Sequence, residues 1–237
     1  MRSAPPRAIP ERGKNPPPRR DPVLLPLALL AALAVAALFA VYLAGRPPGD
    51  DSAVAGFARD MSTHHAQAVE MAEIVQNKTR SDEIKTLASD IALTQQGQIG
   101  QMHGWLDVWG LSPTGPEPAM AWMGHPMNGR MPGMATPEQI NRLREASPEE
   151  ADKLFLLLMI PHHKAAIPMA RAVVKDTDRP EVERLAGSMI SSQKAEIKVM
   201  EDMLRERGAK PPPQKYHHMH DGMDMGSAQL GNHGEHG

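Results

Sequence analysis

The sequence predicts an all-α protein, an antiparallel four-helix bundle made of two duplicated helix hairpins and preceded by one transmembrane helix. Three observations support this prediction: a motif that occurs twice, a core composition poor in aromatic residues, and one long uncharged segment near the N-terminus. Apolar residues make up 41% of the chain and aromatic residues only 3%. A core of Ala, Leu, Ile, Val and Met favours helices, because sheets use more β-branched and aromatic side chains.

The first element is the uncharged, almost wholly apolar segment from Val23 to Leu43. As a helix it spans roughly 30 Å, the thickness of a bilayer core. We therefore predict a transmembrane helix at residues 22–44, after a basic, Pro-rich cytoplasmic segment at residues 1–21. The positive-inside rule then places the main domain outside the cytoplasm, anchored to the cell membrane. A cleaved signal peptide, which would leave the domain secreted, is the competing interpretation.

After a linker at residues 45–50, a duplication organises residues 51–208. The motif reads Phe-x3-Met-x2-His-His-x2-Ala-x2-Met-Ala, and its copies begin at Phe57 and Phe155. The offset of 98 residues (162 − 64) holds without a gap to the end of each copy. One hairpin cannot bury its apolar stripe alone, so hairpins at residues 51–110 and 136–208 are expected to share one core.

Capping signals mark where the helices of the bundle begin and end. Ser81 offers an N-cap for the second helix, and Gly110 ends that helix. Proline follows both Thr136 and Ser147, which are expected to open a short helix and the long third helix. The sequence Asp178-Arg179-Pro180-Glu181 is expected to cap the fourth helix.

Each copy of the motif places histidine and methionine side chains on neighbouring turns of a helix. Met61 and His65 are four residues apart, so a thioether lies close to an imidazole. Methionine at helical spacing is also typical of plain core packing. Four imidazoles buried in an apolar core, however, cost free energy unless each finds a partner, and a metal ion is such a partner. The candidate ligands on the helices are Met61, His64, His65, Met71, Met102, Met159, His162, His163, Met169 and Met200.

The ligand types indicate copper. The chain has 17 methionines and no cysteine, so thiolate sites and disulfides are excluded. Thioether with imidazole suits Cu(I) best, and Cu(II) suits positions richer in imidazole. A di-iron centre would need Glu-x-x-His on two helices, and neither His pair has a glutamate three residues before it. We expect no organic cofactor.

Two prolines make the copies unequal. Pro161 and Pro168 fall inside the third helix around its His pair, and the first helix has no counterpart. Each proline removes a backbone donor, so a bend is expected there, either for packing alone or to shape a site. If one pair is functional, we expect it to be His162 and His163.

Two further segments carry soft ligands. The loop at residues 111–135 is expected to be flexible, with its methionines exposed, which gives them no packing role. The tail at residues 209–237 is polar and reads as metal-binding by composition. The loop residues are Met120, Met123, His125, Met127, Met131 and Met134, and the tail ligands are His217, His218 and His220.

The duplicated motif resembles a known family. With Met131-Pro132-Gly133-Met134 before the second copy and Leu-Met-Ile-Pro-His-His at residues 158–163, it is similar to the bacterial ferritin-like family catalogued as domain of unknown function number 305. The resemblance covers about residues 51–208 and implies a ferritin-like four-helix bundle, secreted or membrane-anchored. It also implies a link to copper, because some members are associated with copper binding and resistance. The first copy departs from the pattern, reading Ser62-Thr63 where the second has Ile160-Pro161.

These observations predict a membrane-anchored, extracytoplasmic copper-binding protein that sequesters Cu(I), confers tolerance or transfers the ion. A copper-transfer partner and a homo-oligomer are the two protein partners that this prediction leaves open. A metal-free structural or partner-binding bundle is one alternative, and a metal-dependent oxidase or hydrolase is another. Asp60 and Glu70 are the acid/base candidates for an enzyme, but they occur only in the first copy, so no enzyme is expected. A net charge of −2 leaves no basic surface for nucleic acid.

Overall fold

The computed structural model of the protein describes residues 24–212. These residues form six α-helices, one short 3₁₀ helix at Ala121–Met123 and no β-strand, which confirms the predicted all-α class. The predictions for residues 1–21 and for His217, His218 and His220 lie outside the described residues. The helices are α1 (Leu24–Ala44), α2 (Ala53–Gln76), α3 (Asp82–Val108), α4 (Pro137–Glu145), α5 (Pro148–Asp176) and α6 (Pro180–Glu206).

The chain divides after Pro47 into two compact units, and α1 belongs to the first. This helix has 21 residues and carries no charged side chain. Among the residues that the structure describes, no helix meets the length and apolarity needed to cross a membrane. The predicted transmembrane helix is therefore not confirmed.

Most helix ends lie where the capping signals predict. The Ser81 side chain accepts a hydrogen bond from the Ile84 backbone at the start of α3, and Thr136 forms a full capping box with Gln139 at the start of α4. The fourth bundle helix differs from the prediction, because its N-cap is Arg179 and no side chain caps it. The longest helix, α5, continues without interruption through Pro161 and Pro168.

The two predicted hairpins are present in the second unit. One consists of α2 packed on α3, and the other of α5 packed on α6. Contacts between α2 and α5 join the hairpins, while α4 packs against both of these central helices. The first helices of the two repeats therefore form the middle of the bundle.

The core consists of two hydrophobic clusters, which we call cluster A and cluster B. Cluster A combines the C-terminal half of α2 with the N-terminal half of α5, and cluster B combines the opposite halves of the same helices. The duplication relates the clusters, since a shift of 98 residues takes most residues of cluster A to residues of cluster B. Cluster A holds Met71, Met159 and Met200, and cluster B holds their repeat counterparts Met169, Met61 and Met102.

Candidate metal centre

A layer of polar side chains separates cluster A from cluster B at the midpoint of every long helix. Along α2, for example, cluster B ends at Met61 and cluster A begins at Ala68, with the His pair between them. All four histidines are at most 1% exposed. We call this set the polar layer, and its members are His64, His65, Gln95, Gln98, His162, His163, Gln193 and Glu196.

Equivalent histidines of the two repeats meet in the polar layer. The ring centroids of His64 and His162 are 3.8 Å apart, with an angle of 38° between the ring planes. The rings of His162 and His163 have centroids 6.2 Å apart. The sequence suggested a separate site in each repeat, whereas the fold brings the two His pairs into one continuous layer.

Two histidines are held by repeat-related hydrogen bonds from the outer helices. Nε2 of His65 lies 2.7 Å from Oε1 of Gln98, and Nε2 of His163 lies 2.7 Å from Oε2 of Glu196. In both cases the oxygen accepts, so Nε2 carries the proton and donates it. The two partners occupy the same position in their repeats, but one is a neutral amide and the other a carboxylate.

The other two histidines are held by backbone oxygens. Nε2 of His64 lies 3.1 Å from the carbonyl oxygen of Pro132, and His162 is hydrogen-bonded to the backbone of His64. In each of the four rings, one N–H therefore donates a hydrogen bond to an oxygen, and the second nitrogen keeps a free lone pair. These second nitrogens are buried and have no hydrogen-bond partner: Nδ1 of His64, His65 and His163, and Nε2 of His162.

Burial also keeps three of these imidazoles, those of His64, His65 and His162, neutral. It lowers the pKa of His64 to about 4 and that of His65 to about 3, against an ordinary value of 6.5. Burial, together with the neighbouring imidazoles, holds the pKa of His162 well below that value. A neutral imidazole is the form that binds metal ions, so no proton has to leave these three rings at neutral pH.

Buried thioethers lie on both sides of the polar layer. Met61 and Met102 are one helical turn from it in cluster B, and Met159 and Met200 are one turn from it in cluster A. All four are 0% exposed. Among the described residues there is no group of three or more His, Asp or Glu side chains arranged to hold a metal ion. Methionine sulfur is the other donor that this core offers.

The structure regroups the methionines of each motif. Met61 and Met71 lie in different clusters, and their ten-residue separation on one helix is about 15 Å. One ion therefore cannot bind both of these candidate ligands. The same holds for Met159 and Met169 in the second repeat.

The Met-rich loop is packed, contrary to the prediction that it is flexible with exposed methionines. Met120 is 2% exposed and Met131 is 4% exposed, and both belong to cluster B. Met134 is partly buried against that cluster as well. The reason is a set of long-range contacts with α2 that the local composition of the loop does not reveal.

One stripe along α2 holds this loop at two points. Oδ2 of Asp60 accepts hydrogen bonds from the backbone of Met120 at 2.7 Å and from Nε1 of Trp122 at 2.8 Å. One turn beyond His64, the Gln67 amide exchanges two hydrogen bonds with the backbone of Ala135, at 3.0 and 2.6 Å. The stripe thus positions the carbonyl of Pro132 over His64.

The two acid/base candidates are used in structural contacts. Burial raises the pKa of Asp60, whose carboxylate holds the loop. Glu70 forms an ion pair with Arg144 of α4. The absence of a catalytic pair remains a prediction.

Sequence reasoning missed Gln98 and Glu196, the residues that orient His65 and His163. A usable signal existed, because the 98-residue offset pairs these two positions. Both also lie one turn after a repeated glutamine, Gln95 and Gln193, each of which is 3% exposed. Polar residues repeated on an inward helix face indicate a buried polar layer.

Fold and site together define a class: a duplicated four-helix bundle with a buried histidine layer flanked by thioethers. The family described as domain of unknown function (DUF305) matches residues 55–204, and the chain belongs to this family. A DUF305 crystal structure from Streptomyces coelicolor is 46% identical, with a TM-score of 0.67, and covers 69% of this chain and 99% of that one. A DUF305 fragment from Deinococcus radiodurans is 34% identical, with a TM-score of 0.56, over 68% of this chain and 99% of that one. The ferritin-like relationship stays a prediction.

A third similar structure is that of CopM in its Cu(II)-bound form. It is 30% identical to this chain, with a TM-score of 0.51, and the match covers 65% of this chain and 97% of CopM. Protein L153 of Acanthamoeba polyphaga mimivirus is 45% identical over 56 residues, which are 24% of this chain and 37% of that protein. The match to L153 therefore spans little more than a third of its length.

Proposed function

We propose that this protein binds copper in the polar layer, with imidazole ligands from the His pairs and thioether ligands from the methionines beside them. The observation that carries the proposal is the set of four buried imidazole nitrogens that have a lone pair and no partner. Each such atom costs about 1–3 kcal/mol when left unpaired in a dry core. A bound soft cation removes that cost and converts the layer into a site.

The residues present fit copper better than the harder transition metals. Imidazole with thioether is a soft to borderline donor set, and it favours Cu(I). The similarity to CopM, whose Cu(II)-bound structure shares this fold at 30% identity, supports copper independently. Bound copper would supply a storable or transferable cation.

The protein's own residues orient the ligands and exclude water. The oxygens of Gln98, Glu196 and Pro132 fix the rotation and tautomer of three rings, which raises their basicity as ligands. Clusters A and B seal both ends of the layer. An enclosed site of this kind suits sequestration, tolerance or hand-over of copper rather than turnover of a substrate.

We further propose, on sequence grounds, that α1 anchors the domain outside the cytoplasm. Its 21 residues carry no charge, and the short segment before it holds six of the 26 lysines and arginines of the chain. An oxidising compartment also suits a copper site that needs no thiol. Fractionation of cells that express a tagged chain, followed by protease treatment of intact cells, tests this point.

The test of copper binding is competition of the full-length protein, in mild detergent, against a chromogenic Cu(I) chelator. Replacing His64 and His162 by glutamine should lower copper uptake, whereas replacing the exposed His103 in the same way should leave it nearly unchanged. A second variant, Met61→Leu with Met159→Leu, keeps the core volume and removes two thioethers. Equal uptake by all of these proteins would refute the proposal and favour a metal-free structural bundle.

A further inference from the structure

A groove runs along the surface between the N-terminal half of α3 and the C-terminal half of α6. Its volume is about 590 Å³. Four acidic side chains line it, and the thioether of Met203 lies among them. We call it the acidic groove, and its acidic residues are Asp82, Glu83, Asp90 and Glu196.

The acidic groove is connected to the polar layer through one residue. Glu196 lines the groove, its side chain is 22% exposed, and its Oε2 accepts the hydrogen bond of His163. His163 is 0% exposed and its Nδ1 has no partner. The His163 ring therefore has one nitrogen that is hydrogen-bonded to the wall of the groove and a second, buried nitrogen that has no partner.

The duplication supplies an internal comparison for this surface. The repeat counterparts of the groove residues lie on the opposite halves of α6 and α3, where the acidic character is lost. Asp82 corresponds to Pro180, Asp90 to Ser188 and Glu196 to Gln98. Thr86 corresponds to Arg184, and Met203 to the bulky Trp105. Only Glu83 keeps an acid, Glu181.

The packing of two repeats does not require four acids, because the counterpart surface folds with one. We infer that the acidic groove is the route by which the copper ion reaches and leaves the polar layer, at the point where Glu196 forms the wall between the groove and His163. The inference rests on the copper site proposed above and adds its direction of access.

The negative charge of the acidic groove favours this role and requires no direct contact with the ion. Carboxylates that line one cleft raise the local concentration of cations and speed their association. Arg207 approaches Glu83 at 3.9 Å and offsets part of the charge at one end. Asp82, Asp90 and Glu196 form no ion pair with a lysine or arginine among the described residues. The charges of these three acids are therefore not offset by an ion pair of that kind.

The experiment measures copper loading rates on the full-length protein in detergent. Cu(I), supplied as its acetonitrile complex under nitrogen, is mixed with the protein in a stopped-flow instrument, and quenching of the native tryptophans is followed. The variant Asp82→Asn with Asp90→Asn removes two charges from the groove wall. Glu181→Gln, at the counterpart surface, is the matched control. Asp90→Asn alone guards against a loss of helix α3, which circular dichroism monitors.

We expect the double variant to load about three- to tenfold more slowly at low salt, and Asp90→Asn to lie between it and the wild type. Equilibrium copper stoichiometry should be unchanged, and added salt should slow the wild type towards the rate of the variant. The inference is overturned if the double variant loads as fast as the wild type, or if Glu181→Gln slows loading equally. If the wild type binds no copper at equilibrium, the proposed function fails as well.

Discussion

Replacement of Gly133 by alanine tests how the Met-rich loop is held over the polar layer. The glycine has a φ of +77°, a left-handed conformation that costs an L-residue about 1 kcal/mol. A Cβ atom there would lie 2.5 Å from Cβ of Ala165 and 2.6 Å from the carbonyl oxygen of Pro161. Both atoms belong to α5, which has no freedom to move aside, so the overlap costs a further 1–3 kcal/mol or so.

The expected loss in the free energy of unfolding is therefore about 2–4 kcal/mol, limited by the loop lifting away from α5. Such lifting would remove the Pro132 acceptor from His64 and expose Met131, so Cu(I) affinity should fall as well. Gly124→Ala is the matched control, because Gly124 also has a φ of +77° but no atom within 4 Å of the added Cβ. It should cost only about 1 kcal/mol.

Urea unfolding followed by circular dichroism measures both variants, and chelator competition measures their copper affinity. Equal stability losses for Gly133→Ala and Gly124→Ala would refute the close approach of the loop to α5. Unchanged copper affinity in a destabilised Gly133→Ala protein would show that the loop does not contribute to the site.

Three further predictions concern the loop, the histidines and the tail. Asp60→Ala leaves the Met120 N–H and the Trp122 indole N–H without their acceptor. The free energy of unfolding, measured with urea, should therefore fall by about 1–3 kcal/mol, and the Trp122 emission should shift to the red. Asp60→Asn keeps an oxygen acceptor and should lose less stability. The folded-state pKa values of His64 and His65 are about 4 and about 3, so below pH 6.5 the unfolded chain binds more protons than the folded protein does. The free energy of unfolding should therefore decrease as the pH is lowered through this range. The contribution of these two residues to the free energy of unfolding of the metal-free protein should fall by roughly 4 kcal/mol between pH 7 and pH 5. A urea midpoint that stays constant across this interval would contradict their burial. Deletion of residues 214–237 should lower the total copper bound without weakening the tightest site, as counted by metal analysis after dialysis.

Much of the fold could be predicted from the sequence, because the controlling signals are local or repeated. The capping residues Ser81, Thr136 and Ser147 act within one helical turn, and the structure places helix starts at each of them. The 98-residue offset pairs whole hairpins, so it predicts a shared core without any knowledge of contacts. At the start of α6 the predicted capping sequence is in place, but Arg179 is the N-cap because Pro180 occupies the first helical position, and Asp178 therefore lies one residue too early to cap the helix.

The candidate site was predicted only in composition. Periodicity places His64 and His65 on the two flanks of the inward face of a helix, but it does not reveal that His64 lies against His162 of the other repeat. The antiparallel crossing of α2 and α5 decides that contact, and it also places Met61 and Met71 in different clusters. The packed state of the loop depends on Asp60 and Gln67, whose bonds bridge about sixty residues of sequence and leave no local pattern.

X-ray absorption at the copper edge tests the central claim most directly. The protein should lack residues 214–237, so that copper bound to the tail does not contribute, and should be loaded with one equivalent of Cu(I). We predict a mixed coordination sphere of imidazole nitrogen and thioether sulfur, which loses nitrogen scattering in the variant His64→Gln with His162→Gln. A spectrum with no sulfur scattering, or one that this variant leaves unchanged, would contradict a copper site in the polar layer.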